Sequence, residues 1–194
     1  MLYLLLIFFA VTNSTIQAEE KVKQELPVWS MDSMLSENLT NKVEGSWFEM
    51  RLPMQYVQVE LDTTAYEKAG IKVAAWTKET GSAIKSTVTV LLLPTQNFAA
   101  QNDHEFFEGL IESLTNRWPN VRGKGIVRGK WNGRPAYRFE FTASDKKDKV
   151  NGVVYAVISP AGNFVVSTMQ PARTPEDQVA FKILKQVALS CKQK

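Results

Sequence analysis

The stretch from Trp131 to Met169 constrains the fold more than any other part of the chain, because turn signals divide it into short apolar segments. Asn132-Gly133 is a hairpin signal, and aromatic residues alternate with polar ones soon after it. A polar run at 144–149 and a Pro-Ala-Gly-Asn turn at 160–163 separate the two later segments. Segments of this length joined by short turns predict neighbouring antiparallel strands. We therefore predict a three-stranded meander in this stretch.

Four further strands are predicted before the meander. Apolar and polar residues alternate at 48–52, where Pro53 closes the strand, and again at 57–61. Apolar runs at 71–76 and 84–93 predict the third and fourth strands. The fourth ends in Leu91-Leu92-Leu93, which is apolar on both faces and indicates a covered position inside the sheet.

Two helices complete the pattern. The first follows a cap signal at Asn102-Asp103, and it carries one apolar stripe at helical spacing, formed by Phe107, Leu110, Ile111, Leu114 and Trp118. The second begins at Thr174-Pro175 and includes Cys191, the only cysteine, on its apolar face. We expect a buried, unreactive thiol there. With a further strand at 127–131, before the Asn132-Gly133 turn, the order β-β-β-β-α-β-β-β-β-α predicts an α+β fold in which helices pack on an antiparallel sheet.

The N-terminal region predicts export. Residues 1–18 are typical of a signal peptide, because Leu2–Val11 is apolar but too short to span a bilayer and Ala18 supplies a small residue for cleavage. A buried N-terminal strand is the alternative. We interpret 19–44 as an N-terminal tether with one weak helical turn, and 45–194 as a single domain. The expected protein is periplasmic or extracellular, monomeric, and without a stable membrane span.

Candidates for catalysis or metal binding are few. His104 is the only histidine, so a site with several histidines is excluded, and no Gly-x-Ser-x-Gly elbow accompanies it for a serine triad. Gly123-Lys124-Gly125 lacks the remaining spacing of a phosphate loop and favours a loop or strand entry. Glu49, Glu60 and Glu140 alternate with apolar residues, as solvated sheet positions do. We predict no catalytic residue, no metal and no cofactor; a carboxylate-based hydrolase or lyase is the alternative.

Basic residues concentrate around the Asn132-Gly133 turn, although the net charge of +3 is too small to predict nucleic-acid binding. A two-residue turn would pair Arg128 with Tyr137 and place an arginine on the aromatic face, which is costly if the arginine is buried. We therefore predict an odd loop with Gly133 in a left-handed bulge position. The cations that would then share one face are Arg128, Lys130, Arg134 and Arg138. We predict that this stripe binds a protein partner of acidic character or an anionic surface; a solvated face is the alternative.

Several of these features together resemble the PsbP/Mog/DcrB-like superfamily. They are the order of elements, the strand from Phe48 to Pro53, the Asn132-Gly133 turn, the meander, and the helix after Thr174-Pro175. The resemblance implies a PsbP/Mog-like α/β sandwich, and it points to the exported bacterial DcrB-type proteins. Members of the superfamily are mostly accessory or binding proteins without shared catalytic residues. The resemblance thus implies an exported, non-catalytic binding or assembly module, and it assigns no functional residue.

Overall fold

The computed structural model describes residues 25–81, 83–94, 103–118, 120–144 and 148–194. The elements of these residues, in chain order, are β1 (Val28–Trp29), α1 (Ser33–Ser36), β2 (Asn41–Glu44), β3 (Phe48–Leu52), β4 (Val57–Gln58), α2 (Thr64–Lys68), β5 (Lys72–Lys78), β6 (Ser86–Leu93), α3 (Asp103–Arg117), β7 (Asn120–Trp131), β8 (Arg134–Ser144), β9 (Lys149–Val157), β10 (Asn163–Pro171), α4 (Pro175–Ser190) and β11 (Lys192–Gln193). The predicted α+β class is confirmed, and the predicted strands and two long helices occur in the predicted order; β1, β2 and β11 are additional strands.

The larger of two sheets contains eight strands in the order β1-β7-β8-β9-β10-β6-β5-β4. Neighbouring strands are antiparallel except for β1 and β7, which run parallel. Strands β8, β9 and β10 form the predicted meander. Strand β6 lies between β10 and β5, so the interior position expected from its three leucines is confirmed. The smaller sheet has the order β11-β3-β2.

The eight-stranded sheet carries an apolar core on each face, because successive residues of a strand point to opposite sides. Val154 of β9 belongs to the core that the α3 stripe covers, together with Leu110 and Phe139. The next residue, Tyr155, belongs to the second core, which includes Leu184 of α4 and the buried residues of β3. We call these two sides the α3 face and the α4 face. Helix α4 begins after Thr174, as predicted, and a capping box closes this end: Thr174 accepts a hydrogen bond from the Asp177 amide.

Residues 25–44 pair and pack with the rest of the described chain, which a tether would not do. Strand β1 pairs with β7, β2 pairs with β3, and Leu39 is buried in the core of the α4 face. The predicted helical turn is present as α1. The boundary predicted at Gly45 is therefore corrected towards the N-terminus. Such short strands gain their pairing from residues far along the chain, which local periodicity does not reveal. The predicted signal peptide and residues 19–24 lie outside the described residues.

Two smaller expectations have different outcomes. The strand predicted at 57–61 is confined to β4, a two-residue edge strand, although the Val59 amide still donates to the Ala75 carbonyl over 2.9 Å. Short edge strands reduce unwanted pairing between chains.

Cys191 is buried, as predicted, and this burial raises the pKa of its thiol, so the unreactive protonated form is favoured. Among the described residues, no helix has the length and hydropathy needed to cross a membrane.

The packing of α3 predicts unequal effects of substitutions on its two sides. Leu110 is 1% exposed, whereas Glu112 is exposed. We expect Leu110→Ala to lower the free energy of unfolding by about 2–5 kcal/mol, because it removes buried methyl groups and leaves a cavity. Glu112→Ala should change it by less than about 0.5 kcal/mol. Chemical denaturation measures both values, and equally small effects would contradict the packing of α3 on the sheet.

Candidate interaction surface

The hairpin of β7 and β8 has the register of a two-residue turn, which differs from the register predicted from the cost of burying an arginine. Trp131 pairs with Arg134, and Arg128 pairs with Tyr137. Asn132 has φ of +51° and Gly133 has φ of +75°, as the two central residues of a type I′ turn require. The predicted odd loop at this turn is therefore wrong. The I′ turn matches the twist of the strands, and Arg128 is not buried because β7 lies near the sheet edge.

The irregularity expected at Gly133 occurs instead at the other end of the hairpin. The register shifts between Gly123 and Ile126, and Gly125 has φ of +86°. The Gly123-Lys124-Gly125 segment is therefore a bulge inside β7, which begins at Asn120, and not the predicted loop or strand entry. A side chain at position 123 would collide with Phe139, since an added Cβ would lie 2.4 Å from its ring. The two glycines thus serve close packing and left-handed geometry.

The observed register divides the four predicted cations between the two faces. Arg128 and Lys130 lie on the α3 face, where Arg128 pairs with Tyr137. Arg134 pairs with Trp131 and therefore lies on the α4 face, and Arg138 lies on the same face because it is four residues further along β8. The predicted single stripe is wrong. A shift of one residue moves every side chain of a strand to the opposite face, so the error in the turn caused the error in the stripe.

Both cations of the α4 face contact other parts of the chain. The Arg138 guanidinium lies 5.2 Å from the centre of the Trp29 ring. Arg138 also interacts with the Tyr155 phenol; burial raises the pKa of this phenol, and the positive charge and hydrogen bond of Arg138 offset only part of that rise. Arg134 donates from Nη1 to Oε1 of Gln193 over 2.7 Å. These contacts hold the N-terminal and C-terminal segments against the hairpin.

Glu140 is the centre of a cluster of three cations. Its carboxylate oxygens lie 3.6 Å from Lys124 Nζ, 3.7 Å from Arg138 Nε and 3.6 Å from Lys185 Nζ. Its side chain is only 13% exposed, so the prediction of a solvated glutamate is wrong at this position. One carboxylate compensates three cations, and the cluster therefore keeps an excess of positive charge. Lys124 belongs to the bulge of β7 and Lys185 belongs to α4. The sequence pattern does not predict that these two residues lie together.

A small cavity of about 210 Å³ lies beside Arg134, and among its lining residues are Trp131, Phe164 and Lys192. Pockets for small molecules usually occupy about 300–1,000 Å³, so this cavity is too small for a typical ligand of that kind. The described residues contain no group of three His, Cys, Asp or Glu side chains that could hold a metal ion. The side chain of His104 lies outside the described part of the structure.

The remaining uncompensated charge lies on β7. This strand carries four cations and no carboxylate, and we call them the basic edge: Arg122, Lys124, Arg128 and Lys130. All four are exposed. Arg122, Arg128 and Lys130 form no ion pair with the described residues. Arg122 and Lys124 are absent from the predicted site. The sequence does contain a signal for these two cations, because residues 120 to 131 include no acidic residue.

Comparison with solved structures identifies the fold. The Ran-binding protein Mog1p of Saccharomyces cerevisiae matches with a TM-score of 0.54 and 14% identity, over 78% of this chain and 94% of that chain. The cyanobacterial PsbP protein (CyanoP) of Synechocystis matches with a TM-score of 0.58 and 7% identity, over 79% of this chain and 92% of that chain. No protein-family model and no curated protein matches the sequence. The predicted PsbP/Mog-like fold is confirmed, and the narrower DcrB-type assignment stays a prediction.

The Glu140 cluster predicts a salt-dependent effect on stability. Glu140→Gln removes the carboxylate that Lys124, Arg138 and Lys185 share. We expect a loss of about 1–3 kcal/mol in the free energy of unfolding at low salt, because three cations then lie close together without compensation. The loss should shrink at high salt, which screens their repulsion. Denaturation of this variant and of the exposed control Glu112→Gln, at two salt concentrations, measures the effect; a loss that does not depend on salt would contradict it.

Proposed function

We propose that this protein is an exported, non-catalytic binding or accessory module whose basic edge docks an acidic protein partner. The observation that carries the proposal is the concentration of four exposed cations on one strand that contains no carboxylate. The fold supports a binding role, since it is shared with a Ran-binding protein and with a cyanobacterial PsbP. That support concerns the class of protein, and it does not identify the partner.

The positive charge of β7 acts over a distance and favours acidic partners. Clustered charges of one sign raise the rate of association with an oppositely charged surface, and salt weakens this attraction. The neighbouring Glu140 cannot neutralise β7, because Arg138 and Lys185 already share its carboxylate with Lys124. The net positive potential of β7 therefore extends into solvent.

The apolar residues of β7 favour a protein over a membrane surface as the partner. Ile126 is 40% exposed and pairs with Phe139, so it lies on the α3 face together with Arg128 and Lys130. An interface that combines exposed apolar side chains with flanking charges is typical of protein recognition, in which an apolar centre is surrounded by a polar rim.

Charge reversal on β7 tests the proposed site. We expect the wild-type protein to bind immobilised poly-L-glutamate, with an affinity that falls as salt rises from about 50 to about 300 mM. Arg128→Glu combined with Lys130→Glu should weaken this binding at least about tenfold, because attraction is replaced by repulsion. Surface plasmon resonance measures the affinities, and thermal unfolding checks that the variant is folded.

The matched control for this test is Lys68→Glu combined with Lys72→Glu. It changes the net charge by the same amount, but both lysines are exposed near the opposite edge of the sheet, in α2 and β5. Equal losses in the two double variants would mean that net charge alone causes binding, and would contradict the assignment to β7. Binding to vesicles containing anionic lipid but not to poly-L-glutamate would identify a membrane surface and would contradict the protein partner.

The proposed export predicts a shortened mature chain. The apolar leader at 2–11 and the small residue Ala18 favour cleavage before Glu19. We expect the protein recovered from the export compartment of an expressing cell to have the mass of the chain that begins near Glu19. Intact-mass spectrometry measures this directly, and recovery of the chain with Met1 retained would contradict it.

A further inference from the structure

We propose that the acidic partner binds as an added β-strand along the outer edge of β7. This inference rests on the proposed function and names the mode of binding at the same surface. Strand addition uses the backbone groups of an exposed sheet edge for affinity and the alternating side chains for specificity. The outer edge of β7 provides both, as its backbone geometry and its charges show.

The direction of the backbone groups follows from the pairing of β1 with β7. The Lys130 amide donates to the Pro27 carbonyl over 2.8 Å, so the amide of Lys130 points outwards from the sheet. Backbone groups alternate in direction along a strand, and the amides and carbonyls of Arg128 and Ile126 therefore point outwards as well. The pairing of Lys130 with Pro135 agrees with this alternation, because proline has no amide and suits a position that does not bond to β7.

Strand β1 covers only the last residues of this edge, and Pro27 explains why it stops there. Its register couples Val28 with Lys130 and Trp29 with Trp131. In this parallel ladder the next bond would run from the amide of residue 27 to the Arg128 carbonyl, but proline has no amide to donate. Among the described residues, no strand lies beside 120–128 on the outer side. The outward groups of Arg128 and Ile126 have no neighbouring strand among the described residues, and we place the backbone of the partner there.

The charges of β7 select the occupant. A second copy of this chain would place the same cations opposite one another, which is unfavourable across a strand pair. Charged residues and bulges on edge strands prevent such self-association, and β7 has both. A segment with carboxylates at alternate positions would instead form a favourable pair with Arg128, the cation beside the part of the edge that β1 does not cover. The bulge between Gly123 and Ile126 interrupts the regular ladder, and so we place the anchor of the added strand at Ile126 and Arg128.

The experiment uses a capped eight-residue peptide of alternating glutamate and valine as the probe. We expect it to bind the wild-type protein in a salt-dependent manner and to slow hydrogen exchange at the Ile126 and Arg128 amides, as measured by NMR. A capped peptide of alternating lysine and valine has a similar tendency to form strands but the opposite charge, and it should not bind. Binding of both peptides alike would overturn the selection by charge.

A proline substitution tests the backbone contact separately from the charge. Ile126→Pro removes one outward amide without changing charge, at a position whose amide is not used by β8. We expect it to weaken peptide binding about tenfold or more, since the hydrogen bond is lost and the ring obstructs the added strand. Ile126→Thr keeps the amide and the branched side chain, and it should bind nearly as the wild type does. Thermal unfolding checks that both variants are folded.

Separate outcomes overturn the binding mode and the proposed function. If Ile126→Pro binds the peptide as the wild type does, or if the peptide leaves exchange at the Ile126 and Arg128 amides unchanged, strand addition is wrong. Exchange that is already slow at these amides in the free protein would mean that another part of the chain covers the edge, and would also overturn it. The exchange measurement on the wild type decides the matter if Ile126→Pro does not fold. If charge reversal at Arg128 and Lys130 leaves poly-L-glutamate binding unchanged, the proposed function itself is wrong.

Discussion

The type I′ turn at Asn132-Gly133 is the local constraint on which the proposed surface depends. Both residues adopt left-handed backbone angles, which asparagine and glycine tolerate better than other residues. The turn pairs Trp131 with Arg134 and so determines which side chains of β7 and β8 point to each face. Trp131 then stacks on Phe164 with 5.8 Å between ring centres, and its indole donates to the Leu189 carbonyl. One turn thereby links the hairpin to the core of the α4 face.

The same register separates structural cations from available ones. Arg134 and Arg138 lie on the α4 face and contact Gln193 and Trp29, so they join the hairpin to the two ends of the described chain. Arg128 and Lys130 lie on the α3 face of β7, near the sheet edge, where both are exposed and the Arg128 guanidinium lies 5.9 Å from the centre of the Tyr137 ring. Position in the sheet therefore decides the role of each basic residue. The chemical type of the side chain is nearly the same in every case.

The predictions about helices and strands succeeded where the signal was local. The apolar stripe of α3 identified Leu110 as a core residue, and the leucine run of β6 identified an interior strand. The N-terminal boundary and the basic stripe were wrong because both depend on partners far along the chain. Leu39 is buried by segments that sequence periodicity does not connect, and Lys124 reaches Glu140 only through the bulge in β7.

The sequence by itself determined the α+β class, the order of the main elements and the accumulation of cations near the Asn132-Gly133 turn. These properties follow from hydrophobic periodicity, turn residues and composition, which act over a few residues. The tertiary structure alone decided the register of the hairpin, the division of the cations between two faces and the position of β7 near the sheet edge. Each of these depends on which distant segments pair. In particular, the parallel pairing of β1 and its interruption at Pro27 leave the outer backbone of Arg128 and Ile126 without a neighbouring strand among the described residues.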